Sequence, residues 1–330
     1  MTKFYKYLAL LIFSFLWLLG CSKSFSDYLF DQKILKDDFR YGDLYRLSNL
    51  PKFKKPLEKC EQFSKKEKIK ISLFLAGDSF TEDKRISEKD FVADSYFRGN
   101  VAEANDGLPE VTTKKVLIIE TVERHFRERF AEPWKNWEYK LKKGEEKEQI
   151  SIPYLLSLNM PYNEKLHQAS LFGFDAILRI KEWKAFLNYY LFNKIDEKVY
   201  LTKDKNNILY YLDIEPGISS CFDIIEENEI EKLVSNVNIT YKYYKSLGFD
   251  EVILSIIPNK TSILGSDLGN YNNLVSRLEN NSKLKMPLIS VYKEFEKEGS
   301  KVYDLGDSHW SCEGEQIWIN KVNEKLLDLQ

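Results

Sequence analysis

The chain has 330 residues and a formal net charge of −2, with 49 basic and 51 acidic residues interspersed along it. This balance leaves no basic stripe, which argues against nucleic acid as a partner. Tyrosine and phenylalanine are abundant, with 20 and 21 residues. Such a content fits either a large apolar core or a carbohydrate-binding surface.

The N-terminus has the pattern of an export signal. Two lysines precede an apolar run over 8–19, which is too short for a stable membrane span. The run ends in "LLGC" at 18–21, which resembles the bacterial lipobox, where the cysteine receives diacylglycerol. The sequence therefore predicts a signal peptide over 1–20, lipidation of Cys21 and a lipid-anchored location in the bacterial cell envelope. An ordinary secretory signal with a chance cysteine is the alternative.

The segment after the signal predicts a tether. Residues 21–68 are rich in lysine, aspartate and serine and contain Pro51 and Pro56. We expect little regular structure there.

Export permits disulfides among the cysteines that follow the lipidation site. These are Cys60, Cys221 and Cys312. Three cysteines cannot all pair within one chain, and the sequence leaves the pairing open. Neither a CxxC spacing nor a histidine-rich stretch is present, so we expect no metal and no cofactor.

Three apolar runs of strand length are predicted as buried strands. They are IKISLFLA at 69–76, KVLIIE at 115–120 and EVILSII at 251–257. A helix precedes the third run, because apolar residues recur at three- and four-residue spacing over 230–244 and Gly248 follows where a C-terminal cap would sit. A short fourth strand is predicted at 301–305, and an amphipathic helix over 317–327.

Strands that are apolar on both faces and alternate with helices indicate a mostly parallel sheet covered by helices. The predicted fold is therefore α/β with three layers, in one domain over 69–330. The alternation fails between about 131 and 228, which is predicted as an insertion. It contains a predicted helix at 177–192 and a hairpin that turns at Asn206-Asn207.

Two short motifs carry the chemistry. "GDSF" at 77–80 follows the first predicted strand, and "DSHW" at 307–310 follows the last. Catalytic groups of open parallel sheets lie beyond the carboxyl ends of the strands. A serine becomes a nucleophile when a histidine takes its proton and a carboxylate holds that histidine. Ser79, His309 and Asp307 are therefore the predicted nucleophile, base and acid.

An acyl-transfer site also needs donors for the oxyanion. The backbone N–H of Ser79 at a helix start is one candidate. Gly99, Asn100 and Asn105 in "YFRGNVAEANDGLP" are others, and each also fits a role in shaping a loop.

Further side chains are expected near the predicted site. Trp310 fits either a platform for substrate or a packing role. Lys260 fits a contact with an acidic sugar or a solvated lysine, and Arg124 is a third substrate-binding candidate. Glu120 and Arg124, four residues apart, are predicted to form an ion pair that holds loops.

"GDSF" and "DSHW" together resemble the SGNH hydrolase superfamily, and within it the branch of alginate O-acetyltransferase-like proteins. "PNK" at 258–260 is similar to the Pro-x-Lys strand end of that branch, and "ETVER" at 120–124 to its Glu-x-x-x-Arg segment. The resemblance covers about 70–130 and 198–325. Ser79 comes before the Asp-x-His pair, whereas the branch has the reverse order, so the chain looks permuted relative to it.

The resemblance implies an SGNH or flavodoxin-like fold and O-acetyl transfer or removal on a cell-envelope or secreted carbohydrate. It implies a carbohydrate substrate, an acetyl donor that the sequence does not identify and a membrane contact through the N-terminal lipid. Two alternatives stay open. One is a glycan-binding or scaffold lipoprotein whose triad is idle, and the other uses Asp307 and His309 as metal ligands.

Overall fold

The structure is a computed structural model. It describes residues 2–20, 22, 28–29, 32, 34, 39–61, 67–105, 107–137 and 174–330. Cys21 and part of the predicted insertion, 138–173, lie outside the described residues.

After residue 69 the described chain contains both strands and helices. The helices are α1 (Thr2–Gly20), α2 (Asp43–Ser48), α3 (Glu123–Arg129), α4 (Asp175–Phe192), α5 (Glu227–Ser246), α6 (Lys260–Leu264), α7 (Leu274–Glu279), α8 (Tyr292–Glu298) and α9 (Cys312–Asp328). The strands are β1 (Ile69–Gly77), β2 (Ala93–Asn100), β3 (Lys114–Val122), β4 (Val199–Leu201), β5 (Ile208–Tyr210), β6 (Glu251–Ile257) and β7 (Leu288–Ser290).

The central sheet has five strands in the order β2-β1-β3-β6-β7, and every pair is parallel. The chain leaves β1 for β2 on one side and then crosses to β3 on the other side. This change of direction makes the carboxyl end of β1 a topological switch point, where open α/β sheets bind ligands. Ser79 follows β1 at this point.

Helices cover both faces of the sheet. Leu73 and Leu75 of β1 join a buried apolar cluster that includes α9, whereas Phe74 and Ala76 join a second cluster that includes α5. Alternation along one strand therefore fills two cores, which is why β1 is apolar almost throughout. The predicted α/β fold with a mostly parallel sheet between helices is confirmed.

Most predicted elements lie where the sequence placed them. The three apolar runs form β1, β3 and β6, and the predicted helices form α4, α5 and α9. Gly248 follows α5 with a φ of +89°, which is the left-handed conformation expected of a helix-terminating glycine. The predicted hairpin is the antiparallel pair β4 and β5.

The predicted strand at 301–305 is wrong. Residues Gly299–Val302 form a 3₁₀ turn, and Tyr303 makes a single bridge to Trp310. The backbone pairs within a local turn and not with the sheet, because the N–H of Asp304 donates to the carbonyl of His309 at 3.1 Å. The edge strand on this side is β7, three residues long and paired with β6.

The described chain divides into two compact units. The first contains α1, α4 and residues 39–41, and within it Arg40 pairs with Asp175 at 3.2 Å. The second contains the five-stranded sheet, the β4–β5 hairpin and residues 42–48. Helix α2 therefore lies in the second unit, although the sequence predicted little regular structure there. None of the described helices combines the length and hydropathy needed to cross a membrane.

Candidate active site

The predicted nucleophile, Ser79, lies in a 3₁₀ turn directly after β1. Asp78 caps this turn, and its carboxylate accepts the backbone N–H of Phe80 at 3.0 Å. The same carboxylate accepts the N–H of Val122, at the end of β3, at 2.7 Å. Asp78 thus ties the turn to the neighbouring strand, and the side chain of Ser79 is exposed beyond the sheet.

Gly77 precedes this turn because a side chain does not fit there. A Cβ atom at position 77 would lie 1.8 Å from Oγ1 of Thr81 and 3.0 Å from Oε2 of Glu120. That carboxyl oxygen of Glu120 accepts the N–H of Asp78 and the hydroxyl of Thr81, both at 2.9 Å. The glycine in "GDSF" therefore permits a close approach that holds the turn.

The imidazole of His309 connects Ser79 to Asp307. Its Nε2 lies 2.8 Å from Oγ of Ser79, and its Nδ1 lies 2.5 Å from Oδ1 of Asp307. The same Oδ1 accepts the backbone N–H of His309 at 3.0 Å. The structure thus brings together the three predicted residues, although Ser79 and His309 are 230 positions apart. Their order is that of a nucleophile, a base and an orienting acid.

The environment of Asp307 keeps its carboxyl group ionised. Burial alone would raise its pKa, but the charge of His309 and the hydrogen bond to it outweigh burial and hold the pKa well below its usual range. Arg85 acts in the same direction, with Nη2 3.7 Å from Oδ2 of Asp307. An ionised acid can stabilise the imidazolium that forms when the serine is deprotonated.

Lys260 supports the turn that carries Asp307. The lysine is 1% exposed, and its Nζ donates to the backbone carbonyls of Asp304, Leu305 and Asp307 at 2.8, 3.2 and 3.2 Å. Burial lowers its pKa to about 8, against the opposing charge of Asp307. Neither predicted role fits, because Lys260 is neither solvated nor turned outward to a sugar. A buried ammonium group needs such acceptors.

Asp43 is a residue of this site that the sequence analysis missed. Its carboxylate accepts the backbone N–H of Ser308 at 2.8 Å and the hydroxyl of Ser308 at 2.7 Å. Burial and then the charge of Asp307 raise the pKa of Asp43 to about 6. The available signal was the run of apolar residues in "DLYRLSNL" at 43–50, which predicts a packed segment rather than a tether.

The oxyanion candidates lie at the same edge of the sheet. Asn100, at the end of β2, is paired with Gly77 at the end of β1. Asn105 uses its amide within its own loop, because Oδ1 accepts the N–H of Asn100 at 2.6 Å and Nδ2 donates to the carbonyl of Asn100 at 2.7 Å. A Cβ at Gly99 would lie 2.7 Å from this amide. Gly99 and Asn105 therefore have a loop-shaping role, and the backbone N–H of Ser79 remains a prediction.

Of the two roles predicted for Trp310, the structure supports packing. It is 1% exposed, and its ring meets Phe80 edge to face at 5.2 Å and Trp318 at 5.5 Å. Phe80 in turn lies 4.6 Å from the imidazole of His309. The aromatic residues that follow Ser79 and His309 thus pack against each other, and Phe80 also contacts the imidazole.

Arg124 is buried and has an acidic partner other than the predicted one. Its Nε lies 3.6 Å from Oδ1 of Asp213, and its guanidinium group lies over the ring of Tyr210 at 5.1 Å. Glu120 instead bonds to Asp78, as described above. The predicted ion pair between Glu120 and Arg124 is therefore wrong, since the end of β3 directs the two side chains to different partners.

The structure resolves the pairing of the cysteines. Cys60 and Cys312 form a disulfide, and Cys221 is a buried free thiol whose Sγ lies 3.0 Å from the carbonyl of Asp213. Cys312 begins helix α9, three positions after His309. The bond therefore attaches the chain before β1 to the immediate surroundings of the predicted base.

One acidic and histidine cluster could in principle hold a cation. Asp43, Asp307 and His309 place one ligand-type atom each within 4.8 Å of one another, the only such group among the residues described. Hydrogen bonds already account for this arrangement, since His309 faces Asp307 and Asp43 binds Ser308. Two of the three groups that could bind a metal, those of Asp307 and His309, are therefore engaged with each other in the predicted triad.

Comparison with protein-family models finds no match. Comparison with curated proteins and with solved structures also finds none.

Proposed function

We propose that the protein is an exported, lipid-anchored SGNH-type serine enzyme that transfers or removes O-acetyl groups on a cell-envelope or secreted polysaccharide. The observation that carries the proposal is the contact of 2.8 Å between Ser79 Oγ and His309 Nε2, with Asp307 at 2.5 Å from Nδ1. Residues of these types in this order perform nucleophilic acyl transfer.

In the first half-reaction, Ser79 Oγ attacks the acetyl carbonyl carbon. Nε2 of His309 takes the serine proton, and Asp307 stabilises the resulting imidazolium through Nδ1–H. The bond between the carbonyl carbon and the donor oxygen then breaks. The imidazolium returns its proton to the departing alcohol, which leaves an acetyl-serine ester.

In the second half-reaction, an acceptor hydroxyl attacks the carbonyl carbon of this ester while His309 takes the hydroxyl proton. The bond between that carbon and Ser79 Oγ then breaks, and the imidazolium returns the proton to the serine oxygen. Water as the acceptor yields acetate, and a sugar hydroxyl yields an acetylated sugar. Both outcomes share the acyl-enzyme, so esterase and transferase activity differ only in what reaches the exposed face of Ser79. Backbone N–H groups of the turn after β1 would stabilise the oxyanion.

The location and substrate class rest on the sequence. The apolar run after two lysines and the "LLGC" ending support export and lipidation at Cys21. A disulfide between Cys60 and Cys312 is in keeping with an oxidising compartment. The carbohydrate class rests on the resemblance to alginate O-acetyltransferase-like proteins.

The test is turnover of a chromogenic acetyl ester by the purified chain, held in mild detergent. Ser79→Ala and His309→Ala are compared with the parent, and Ser266→Ala, a change of an exposed serine, is the matched control. We expect both catalytic variants to lose turnover and the control to retain it. Asp307→Asn should lower kcat by about 10⁴-fold, because the imidazole loses its orienting charge.

Any of three results would replace the proposal. Equal turnover in the parent and Ser79→Ala would remove the serine mechanism. Absence of turnover, with no covalent labelling of Ser79 by a fluorophosphonate probe, would favour the idle scaffold. Loss of activity after chelation and its return with a divalent cation would favour the metal alternative.

A further inference from the structure

We infer that residues 42–48, here named the docking segment, belong to the active site, and that Asp43 is a positioning residue for the catalytic turn. The catalytic turn is defined as residues 304–309. This inference rests on the proposed function, because it assigns a task to Asp43 within the same triad. The docking segment lies in the stretch that was predicted to be a tether, and the inference assigns it a role in the reaction.

The strongest contact is that of Asp43 with Ser308. Ser308 is the residue between Asp307 and His309, and both carboxylate oxygens of Asp43 bind it. Oδ1 accepts its backbone N–H at 2.8 Å, and Oδ2 accepts its hydroxyl at 2.7 Å. Two bonds to one residue fix its orientation as well as its position. Asp43 therefore restrains the peptide units that carry the acid and the base.

The backbone of the docking segment also meets the catalytic turn. The N–H of Tyr45 donates to the carbonyl of Gly306 at 2.8 Å. A Cβ at Gly42 would lie 2.3 Å from that carbonyl oxygen, and Gly42 has a φ of +93°. Only glycine meets both requirements without strain. The backbones of the docking segment and the catalytic turn are therefore in direct contact.

Burial holds the docking segment in place. Leu44 and Tyr45, which follow Asp43 in helix α2, are both fully buried. The helix that contains them packs against the β4–β5 hairpin. The docking segment is therefore held by burial and by the hairpin in addition to its bonds with the catalytic turn, which is the support that a positioning residue needs.

The catalytic turn is thus held from two sides. Lys260 donates to three of its carbonyls, as described above, and the docking segment holds Gly306 and Ser308. Further along the chain, Cys60 is bonded to Cys312, just beyond the turn. The turn has no regular secondary structure of its own, so these contacts supply the rigidity that catalysis needs.

The test compares Asp43→Ala and Asp43→Asn with the parent in the full chain. Glu58→Gln is the control, because Glu58 is an exposed acid whose partner Lys55 is also exposed. Three quantities are measured: the rate at which a fluorophosphonate probe labels Ser79, kcat and KM for a chromogenic acetyl ester, and the melting temperature. The labelling rate reports activation of the serine without a glycan substrate.

We expect Asp43→Ala to lower the labelling rate and kcat by about 10- to 100-fold, with KM unchanged, because a small misplacement of the base impairs the reaction step more than binding. Asp43→Asn should retain most of the rate. Its amide oxygen can still accept the N–H of Ser308, and its amide nitrogen can donate to the hydroxyl. Glu58→Gln should match the parent in all three measurements.

Labelling and kcat of Asp43→Ala at the parent level would overturn the inference and leave the proposed function standing. A parent whose Ser79 is not labelled would instead overturn the proposed function, and the inference with it. If Asp43→Ala does not fold, Ser308→Ala removes the 2.7 Å bond from the other side and keeps the backbone bond. It should lower kcat several-fold with KM unchanged, and parent-level kcat in it would overturn the inference.

Discussion

The carboxyl group of Glu120 accepts the backbone N–H of Asp78 at 2.9 Å, one residue before the predicted nucleophile. Its Oε2 also accepts the hydroxyl of Thr81, so one oxygen of a side chain on β3 holds both ends of the turn that presents Ser79. Glu120 is fully buried. The turn that contains Ser79 is therefore held from the middle strand of the sheet.

This contact predicts a difference between two substitutions of Glu120. Glu120→Gln keeps an acceptor oxygen of the same reach. Near pH 4.5, before the unfolded parent has released the Glu120 proton, its free energy of unfolding should stay within about 1 kcal/mol of the parent. Glu120→Ala leaves two buried donors without a partner and should cost about 2–3 kcal/mol. Urea unfolding of both variants measures the difference. Equal stability of the two would show that the bonds at Asp78 and Thr81 contribute nothing.

The same residue predicts a pH dependence. Burial, followed by the charge of Asp78, raises the pKa of Glu120 well above its usual range. The folded protein therefore holds a proton that the unfolded chain releases once the pH exceeds about 4.5. Because the folded pKa is the higher one, this stabilisation is complete below that pH and is lost as the pH rises through the folded pKa.

Glu120→Gln lacks this titration and serves as the matched reference. The free energy of unfolding of the parent, minus that of Glu120→Gln, should fall as the pH is raised from 4.5 to 9. Other titrating groups cancel in the difference when the two chains are otherwise the same. A difference that is constant with pH would mean that Glu120 has the same pKa in both states.

A substitution at Gly77 tests how tightly the turn after β1 is packed. A methyl group at this position overlaps with Oγ1 of Thr81, so Gly77→Ala should lower the free energy of unfolding by about 3 kcal/mol and reduce ester turnover. Thr81→Ala removes that oxygen, and Gly77→Ala should cost less in this background. A double-mutant cycle of urea unfolding gives the coupling energy. Additive effects would contradict a clash between these two positions.

The strands of the central sheet that the sequence predicts are those buried on both faces. β1, β3 and β6 lie in the middle of the sheet and read as continuous apolar runs. β2 was missed because it is an edge strand whose side chains are mostly half-buried, which leaves no apolar run. β7 has only three residues, too few for a periodic pattern.

The site follows the same division. Ser79, Asp307 and His309 were predictable because each belongs to a short motif, and such motifs depend on local geometry. Asp43 was not predictable, because its contact with Ser308 joins positions 265 residues apart and no sequence pattern indicates such a contact. Lys260 was predicted to contact a sugar or to be solvated, because its actual partners, three backbone carbonyls, leave no trace in the sequence.

Lys260 should be important for the site even though it does not touch substrate. Lys260→Met fills similar space but leaves three carbonyls of the catalytic turn without their donor, and we expect a loss of about 2–3 kcal/mol in the free energy of unfolding. A fall in kcat should accompany it, because Asp307 belongs to that turn. Lys283→Met is the control, since Lys283 is an exposed lysine paired with Glu231. Equal effects of the two substitutions would contradict the supporting role of Lys260.

The disulfide between Cys60 and Cys312 should stabilise both the fold and the catalytic turn. It closes a separation of 252 residues, and its removal by Cys60→Ser with Cys312→Ser should lower the free energy of unfolding by about 2–4 kcal/mol. Ester turnover should fall as well, because helix α9 begins three positions after His309. Dithiothreitol should affect the parent in the same way and leave the double variant unchanged, which separates the bond from other effects of the reductant. Turnover in the parent that is insensitive to reduction, with Ellman's reagent reporting that the bond has opened, would mean that the catalytic turn keeps its geometry without this attachment.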